Sequence, residues 1–456
     1  MIGGRVVHCA LAVGCESLAH VLQLNQMTTR SPRTFEARKK FHPKWMRVLG
    51  PGLITGAADD DPSGIATYSQ AGAAFGYGQL WTLSLCLPLM IAVQEACARI
   101  GSVTGHGLAR VTADNYSKKV LYSAVGLVVV ANTINIGADI AAVGSAIQLI
   151  VPAPVLLTPA LFTGGVLLLE IFIGYHKYAK FLKLLSLALL AYVATALIVT
   201  EPWSEILRAT IVPQIQNTRE YWYVIVGILG TTISPYMFFW QAAEEAEERE
   251  LADVEHGVRR TMKEIRQDNA AGMIISQLGS WFMMLTTATV LHANGVTNIA
   301  TASDAAAALE PLVKSFPHSG EIAKVIFAIG VIGMGMLGIP VLAGSASYAV
   351  SEAFRWPGGL EKKAREARGF YGVLVASTLV GLLMTFIGVD PMKALIFAAV
   401  VNGIVAVPLI FLILTISRND SIMGDLIGGK LSRIVLPIAF MVMLSCALAL
   451  LMTFIN

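Results

Sequence analysis

GPGLITGAADDDPSGIATYSQAGAAFGYGQLW, residues 50–81, opens as an apolar stretch and then meets three consecutive carboxylates, Asp59, Asp60 and Asp61. Pro62, Ser63 and Gly64 follow, and apolar helical sequence is expected to resume at Ile65. Proline has no amide hydrogen for the helix ladder and disfavours a helical residue before it. Gly64 permits backbone geometry that a side chain would hinder. The stretch therefore predicts a helix broken at residues 60–64. In lipid such a break is costly unless it lines protein or a hydrated cavity. It exposes carbonyl oxygens of the first half-helix, and beside a carboxylate these make a cation site. A bare Asp near the bilayer midplane costs several kcal/mol, roughly 2.5–3.5 on insertion scales, and a bound cation compensates it. Asp61 is the first candidate ligand and Asp60 the second. Asp59 is expected to face a vestibule or to end a hydrogen-bond network. The alternative is a kink whose acids pair with internal basic or backbone groups.

Working outward, the 456 residues are 55% apolar and only 14% charged, against roughly 25% charged in soluble domains. A helix needs about 20 residues to cross the hydrocarbon core. Eleven segments meet that need, near 49–75, 78–98, 120–149, 153–174, 181–199, 221–242, 269–292, 321–351, 371–388, 391–415 and 432–453. They are called spans 1–11 below. No span from 1 to 6 holds an obvious central basic partner for the aspartates. The net charge of +3 argues against nucleic-acid binding. The five cysteines, at 9, 15, 86, 97 and 446, form no CxxC or zinc pattern. HExxH, GxSxG and nucleotide-binding signatures are absent from the sequence, which argues against an enzyme. No cofactor and no obligatory protein partner is inferred; the expected partners are divalent metal ions and the lipid bilayer.

Placing the N-terminus in the cytoplasm puts 27 Lys and Arg on that side and five, Arg208, Arg219, Lys314, Lys324 and Lys393, on the other. This asymmetry predicts a multi-pass cell-membrane protein with its C-terminus outside. Residues 1–45 read as a cytoplasmic N-terminal tail. The charged stretch 244–268 reads as a hydrated cytoplasmic connector helix. Glu352 is expected at the cytoplasmic boundary of span 8, with Arg355 or Lys362 as possible gate partners.

Span 6 carries a second break, in VGILGTTISPYMFFWQAAEE. Gly230, Thr231, Thr232, Ser234 and Pro235 interrupt its apolar run, and Pro235 cannot bond the carbonyl of Thr231. That carbonyl and the Ser234 oxygen are hard donors suited to an ion. Tyr236 is placed to position water or close the cavity, and Gly230 to act as a hinge. Breaks in spans 1 and 6, five helices apart, predict two inverted five-helix repeats. They lie at about 46–200 and 221–416, with span 11 (432–453) added to an all-α transmembrane domain, 46–453.

Residues 49–81 and 224–242 resemble spans 1 and 6 of the Nramp family of divalent-metal transporters. The family's DPGN is Asp61-Pro62-Ser63-Gly64 here, flanked by GPGL and ATYSQAGAAFGYGQLW. GSASYAVSEAF in span 8 and NGIVAVPLIFLILTISRNDSIMG around span 10 are also similar to it. The resemblance implies the LeuT-like (APC-type) fold and alternating access. It carries the metal-binding Asp to Asp61 and the backbone carbonyl ligand to Thr231. The thioether ligand maps to Ser234, the conserved His to Tyr236 and the Asn of the signature to Gly64. The proton-network Asp of span 3 maps to Asp139, its acidic partner to Ala142, and the span 10 Gln to Asn402.

Loss of the thioether favours hard ions such as Mg²⁺ and Mn²⁺ over late transition metals. The pattern is similar to the Nramp-related magnesium transporter branch. The expected function is transport of Mg²⁺, and also Mn²⁺, without proton coupling. Tyr236, a phenol with reference pKa about 10, stays neutral near pH 7, and Ala142 removes the acidic relay partner. Alternatives are a proton-coupled Mn²⁺/Fe²⁺ importer of the ordinary Nramp kind and, from another class, an ion channel.

Overall fold

The computed structural model describes residues 51–173, 190–199, 202–254, 261–360 and 362–455. The expected tail, residues 181–189 of span 5 and residues 255–260 of the charged stretch lie outside the described residues. Every regular element among the described residues is helical, and eight stretches are long and apolar enough to cross a membrane.

Span 1 is two helices, Pro51–Asp59 and Pro62–Phe75, called 1a and 1b. A tight turn at Gly76–Gln79 leads to span 2, Leu80–Thr104, which stops at Gly105 in the left-handed region (φ 71°). A short helix, Leu108–Asn115, precedes span 3, Lys118–Gln148. Span 4 is Leu157–Phe172, and the described part of span 5 is Leu190–Ile198. Span 6 is again two helices, Arg219–Thr232 (6a) and Pro235–Val254 (6b). Spans 7 to 11 are Met262–Val290, Ser319–Ala353, Arg368–Thr385, Pro391–Ser417 and Lys430–Met452. Each of the eleven expected spans thus has a helical counterpart.

The boundaries differ in three places, each for a local reason. Span 1b restarts at Pro62 rather than Ile65, because Asp61 caps it and proline suits a first helical position. The span 6 break is confined to Ile233 and Ser234, so Gly230, Thr231 and Thr232 stay helical. The charged stretch is not one connector helix. Its acidic half extends span 6b, where Glu244 and Glu245 are buried. Its basic half opens span 7, which Thr261 and Glu264 start afresh with a capping box.

Span 1 packs along span 7, and span 6b packs along span 2. Exchanging 1 with 6 and 2 with 7 turns one contact into the other, the reciprocity expected of two repeats. Span 3 lies against spans 8, 9 and 10, span 6a against span 10, and span 11 against spans 10 and 2. Small residues let the backbones approach where no water drives them together. A Cβ at Gly56 would strike the Gly272 backbone of span 7. One at Gly230 would strike Ala399 and Gly403 of span 10.

Candidate functional site

The two breaks abut. Asp61 sits at the N-terminus of 1b in extended backbone (φ −61°, ψ 171°). Its Oδ1 accepts from the Gly64 amide at 2.8 Å and from the Ser63 hydroxyl at 2.6 Å. Its Oδ2 accepts from Asn135 Nδ2 of span 3 at 2.9 Å. Three donors and a helix N-terminus therefore hold a carboxylate that is 1% exposed. Among the described residues, no ion pair links Asp59, Asp60 or Asp61 to a Lys, Arg or His.

Asp59 and Asp60 face elsewhere. Asp59 Oδ2 accepts from Ser276 Oγ at 2.6 Å, and Asp60 Oδ1 accepts from Ser280 at 2.9 Å and Ser276 at 3.4 Å. Both serines belong to span 7. The helix ends at Asp59 and the chain passes through Asp60 into the extended backbone of Asp61, so the acidic triplet diverges. Accordingly, no group of three or more His, Cys, Asp or Glu that could hold a metal occurs among the described residues. The structure turns the carboxylate of Asp60, the second candidate ligand, toward span 7, while the Asp61 carboxylate is held from span 3.

Span 6 brings neutral oxygens to the break. Ser234 Oγ lies 2.6 Å from the carbonyl oxygen of Gly230 and 2.8 Å from that of Thr231. The Thr231 carbonyl, expected to be free for a ligand, is therefore already approached by the neighbouring hydroxyl. One hydroxyl hydrogen serves both carbonyls, and each retains acceptor capacity. Thr231 Oγ1 is buried without a hydrogen-bond partner, and a Cβ at Gly64 would come within 3.1 Å of it. Gly64 thus gives span 6 a close approach and is not in the left-handed backbone region. Tyr236 donates to the carbonyl of Ala58 at 3.1 Å, and Tyr68 bonds Thr232 at 2.9 Å, stitching 1a to 6b and 1b to 6a. Met237 is packed in the apolar core.

Asn402 Nδ2 of span 10 lies 3.4 Å from Asn135 Oδ1, and Asn135 Nδ2 lies 3.4 Å from Asp139 Oδ2. Asp139 and Asn402 thereby join Asp61 through one amide. Sequence reasoning missed Asn135, Ser276 and Ser280. A usable signal was their spacing: Asn135 precedes Asp139 by four residues, and Ser276 precedes Ser280 by four, so each pair shares a helix face. Gly230, the expected hinge, lies inside 6a at the crossing with span 10, where it also has a packing task.

A cavity of about 650 Å³ opens among the ends of spans 3, 8 and 10, with Pro62, Ala142, Thr301 and Asp390 in its wall. At the opposite helix ends a cavity of about 480 Å³ is lined by His106, Glu247, Tyr348 and Arg355. Trp240, Tyr348 and Phe370 pack edge to face beside this second cavity. Glu352 pairs with neither Arg355 nor Lys362. It accepts from the Gly107 and Arg110 amides at 3.0 and 3.1 Å and caps the Leu108–Asn115 helix, while Arg355 bonds Asp114 at 2.8 Å.

A bundle of long apolar helices, two of them broken beside a buried carboxylate, defines a membrane protein of the transporter kind. A family model described as Natural resistance-associated macrophage protein-like (Nramp) matches residues 52–453, and the chain belongs to that family. It is 26% identical over 400 residues to the divalent metal cation transporter MntH of Yersinia enterocolitica, covering 85% of this chain and 90% of that protein. It is 27% identical over 402 residues to MntH of Chromohalobacter salexigens, covering 85% and 86%. Among solved structures it is similar to the Eremococcus coleocola manganese transporter bound to an aromatic bis-isothiourea compound. The TM-score is 0.69 at 17% identity, over 90% of this chain and 87% of that one. MhsT in complex with L-phenylalanine superposes with a TM-score of 0.58 at 14% identity, over 87% and 98%. These likenesses give the fold, which is LeuT-like.

Proposed function

We propose that this chain moves divalent cations, Mg²⁺ foremost and Mn²⁺ as well, across the cell membrane by alternating access without proton coupling. The observation that carries the reading is that the candidate ligand atoms at the two breaks are hard oxygens, with no thioether among them. Asp61 supplies one carboxylate, and Ser234, Thr231 and the span 6 carbonyls supply neutral hard donors. The residue at the thioether position is Ser234, and the nearby Met237 is turned into the core. Mg²⁺ keeps several waters and is bound through one or two carboxylates, which suits a single Asp61. The positive-inside asymmetry gives the N-terminus to the cytoplasm and the 650 Å³ cavity to the outside. The repeat limits, about 46–200 and 221–416 with span 11 added, rest on the reciprocal packing of spans 1 and 7 and of spans 6 and 2.

The test is uptake of Mg²⁺ and Mn²⁺ into sealed proteoliposomes that also contain a proton-sensitive dye. Wild type takes up both ions without stoichiometric acidification, and Asp61→Ala takes up neither. Mn²⁺ uptake without Mg²⁺ uptake, accompanied by proton entry, overturns the reading in favour of the ordinary Nramp importer. One observation favours that second reading. Asp59, Asp60 and Asp139 are buried acids beside the site, and they give a proton somewhere to go without a histidine.

A further inference from the structure

Asn135 stands where the site is most constrained. It is wholly buried in the middle of span 3, and it touches Asp61 of span 1, Asn402 of span 10 and Asp139 of its own span. An ionised carboxylate only accepts hydrogen bonds, so the amide NH₂ faces Asp61 Oδ2 (2.9 Å) and Asp139 Oδ2 (3.4 Å). Its oxygen consequently faces Asn402 Nδ2 (3.4 Å). That orientation leaves Asn402 Oδ1 buried without a partner. It also spends one oxygen of Asp61 on a donor, and that oxygen is one a cation needs.

Turning both amides over exchanges oxygen for nitrogen at the same positions. Asn135 Nδ2 then donates to Asn402 Oδ1, and the end of the Asn402 amide without a partner becomes its Nδ2. Asn135 Oδ1 then faces Asp61 Oδ2 across the present 2.9 Å. Two oxygens that close repel one another when nothing lies between them. Yet adjacent ligands of an octahedral Mg²⁺, each at about 2.0–2.1 Å from the metal, stand about 2.9 Å apart. Asp139 gives up its long contact in this arrangement and faces the field of the cation instead. We infer that Asn135 and Asn402 form a paired amide switch. One setting supplies an N–H that replaces the missing cation at Asp61, and the other supplies Asn135 Oδ1 as a ligand beside it. Asn402 acts on the ion through Asn135. The inference rests on the proposed divalent-cation transport.

The experiment measures Mg²⁺ uptake in proteoliposomes, and melting of the purified full chain with and without MgCl₂. Asn135→Asp keeps the ligand oxygen and removes the donor, so the ion-free setting is lost. Its KM and its maximal rate both fall, by about tenfold for one charge-assisted hydrogen bond, and added Mg²⁺ raises its melting temperature more than it raises that of wild type. A folded Asn135→Asp protein with unchanged or higher KM overturns the switch; a lower KM is also what the added negative charge alone gives, so it counts for the switch only together with a raised KM in Asn135→Ala, and an unchanged KM in Asn135→Ala overturns it. If Asn135→Asp does not fold, Asn135→Ser and Asn135→Ala decide. A hydroxyl both donates and accepts, so Ser keeps a KM near wild type while Ala raises it by about tenfold; equal KM values overturn the switch. Wild type that neither transports Mg²⁺ or Mn²⁺ nor is stabilised by them defeats the proposed function, and the switch with it. A responsive wild type whose Asn135 variants keep its KM and its melting response to Mg²⁺ defeats the switch alone.

Discussion

The phenolic hydroxyl of Tyr236 donates to the carbonyl of Ala58 across 3.1 Å, joining the first turn of 6b to the last turn of 1a. The bond closes one of the orphan carbonyls that a broken helix leaves, and it does so with a group that stays neutral at physiological pH.

Tyr236→Phe is therefore expected to leave a buried carbonyl unpaired and to cost about 1–3 kcal/mol of stability, read as a lower melting temperature in detergent. Tyr236→His is the more informative change, because imidazole titrates near pH 6.5. Protonation places a positive charge beside Asp61, so Mg²⁺ uptake by this variant should fall as pH drops from about 8 to 5, relative to wild type. A variant profile parallel to that of wild type would show that position 236 does not sense the ion.

What the sequence revealed, and what it withheld, follows from how far each cause lies along the chain. The Asp61–Pro62 and Ser234–Pro235 breaks were legible because proline and capping chemistry act within a few residues. The divergence of Asp59 and Asp60 from Asp61 was not, because it depends on Ser276 and Ser280, more than 200 residues away. Asn135 was hidden for the same reason: alone it is one polar residue in an apolar span, and only the folded chain sets it between Asp61 and Asn402. The start of span 7 was in principle readable, since Thr261 and Glu264 form the capping-box pattern inside the charged stretch.

Ser234→Met tests selectivity at the second break. The substitution introduces a soft donor, and it also removes the hydroxyl that Gly230 and Thr231 share. Cd²⁺ should compete against Mg²⁺ more strongly by about tenfold, equivalent to ~1.4 kcal/mol. Gly64 limits the gain, because it adds no side-chain oxygen to the set. The measurement is the Cd²⁺ concentration that halves Mg²⁺ uptake; a value unchanged from wild type would remove Ser234 from the ion's surroundings.

Gly338 of span 8 backs directly onto Asp61: a Cβ there would lie 3.1 Å from the Asp61 Cβ. Gly338→Ala should displace the carboxylate by a few tenths of an ångström, and a rigid Mg²⁺ shell tolerates that poorly. KM for uptake is expected to rise by at least about tenfold, with modest loss of stability. Gly126→Ala is the control, since nothing lies within 4 Å of its would-be Cβ. In the interior of span 3 it should be neutral or stabilise by about 0.5–1 kcal/mol. Equal effects of the two substitutions on KM would show that Asp61 is not held to this tolerance.

Gly230 separates packing from hinging. A Cβ at this position collides with Ala399 O and with the Gly403 backbone, and a Cβ at Gly403 would reach Val226 O in return. Backbone atoms cannot swing aside as a side-chain end can, so even Gly230→Ala must push spans 6 and 10 apart. Overpacking of this kind costs about 1–3 kcal/mol, and the β-branched Gly230→Val should cost more. If packing is the task, melting temperature falls in the order wild type, Ala, Val, and transport falls with the amount of folded protein. If hinging is the task, Gly230→Ala melts like wild type and only its turnover slows. Melting curves and initial uptake rates on the same preparations distinguish the two, and a wild-type melting temperature for Gly230→Ala would assign the hinge to residue 230.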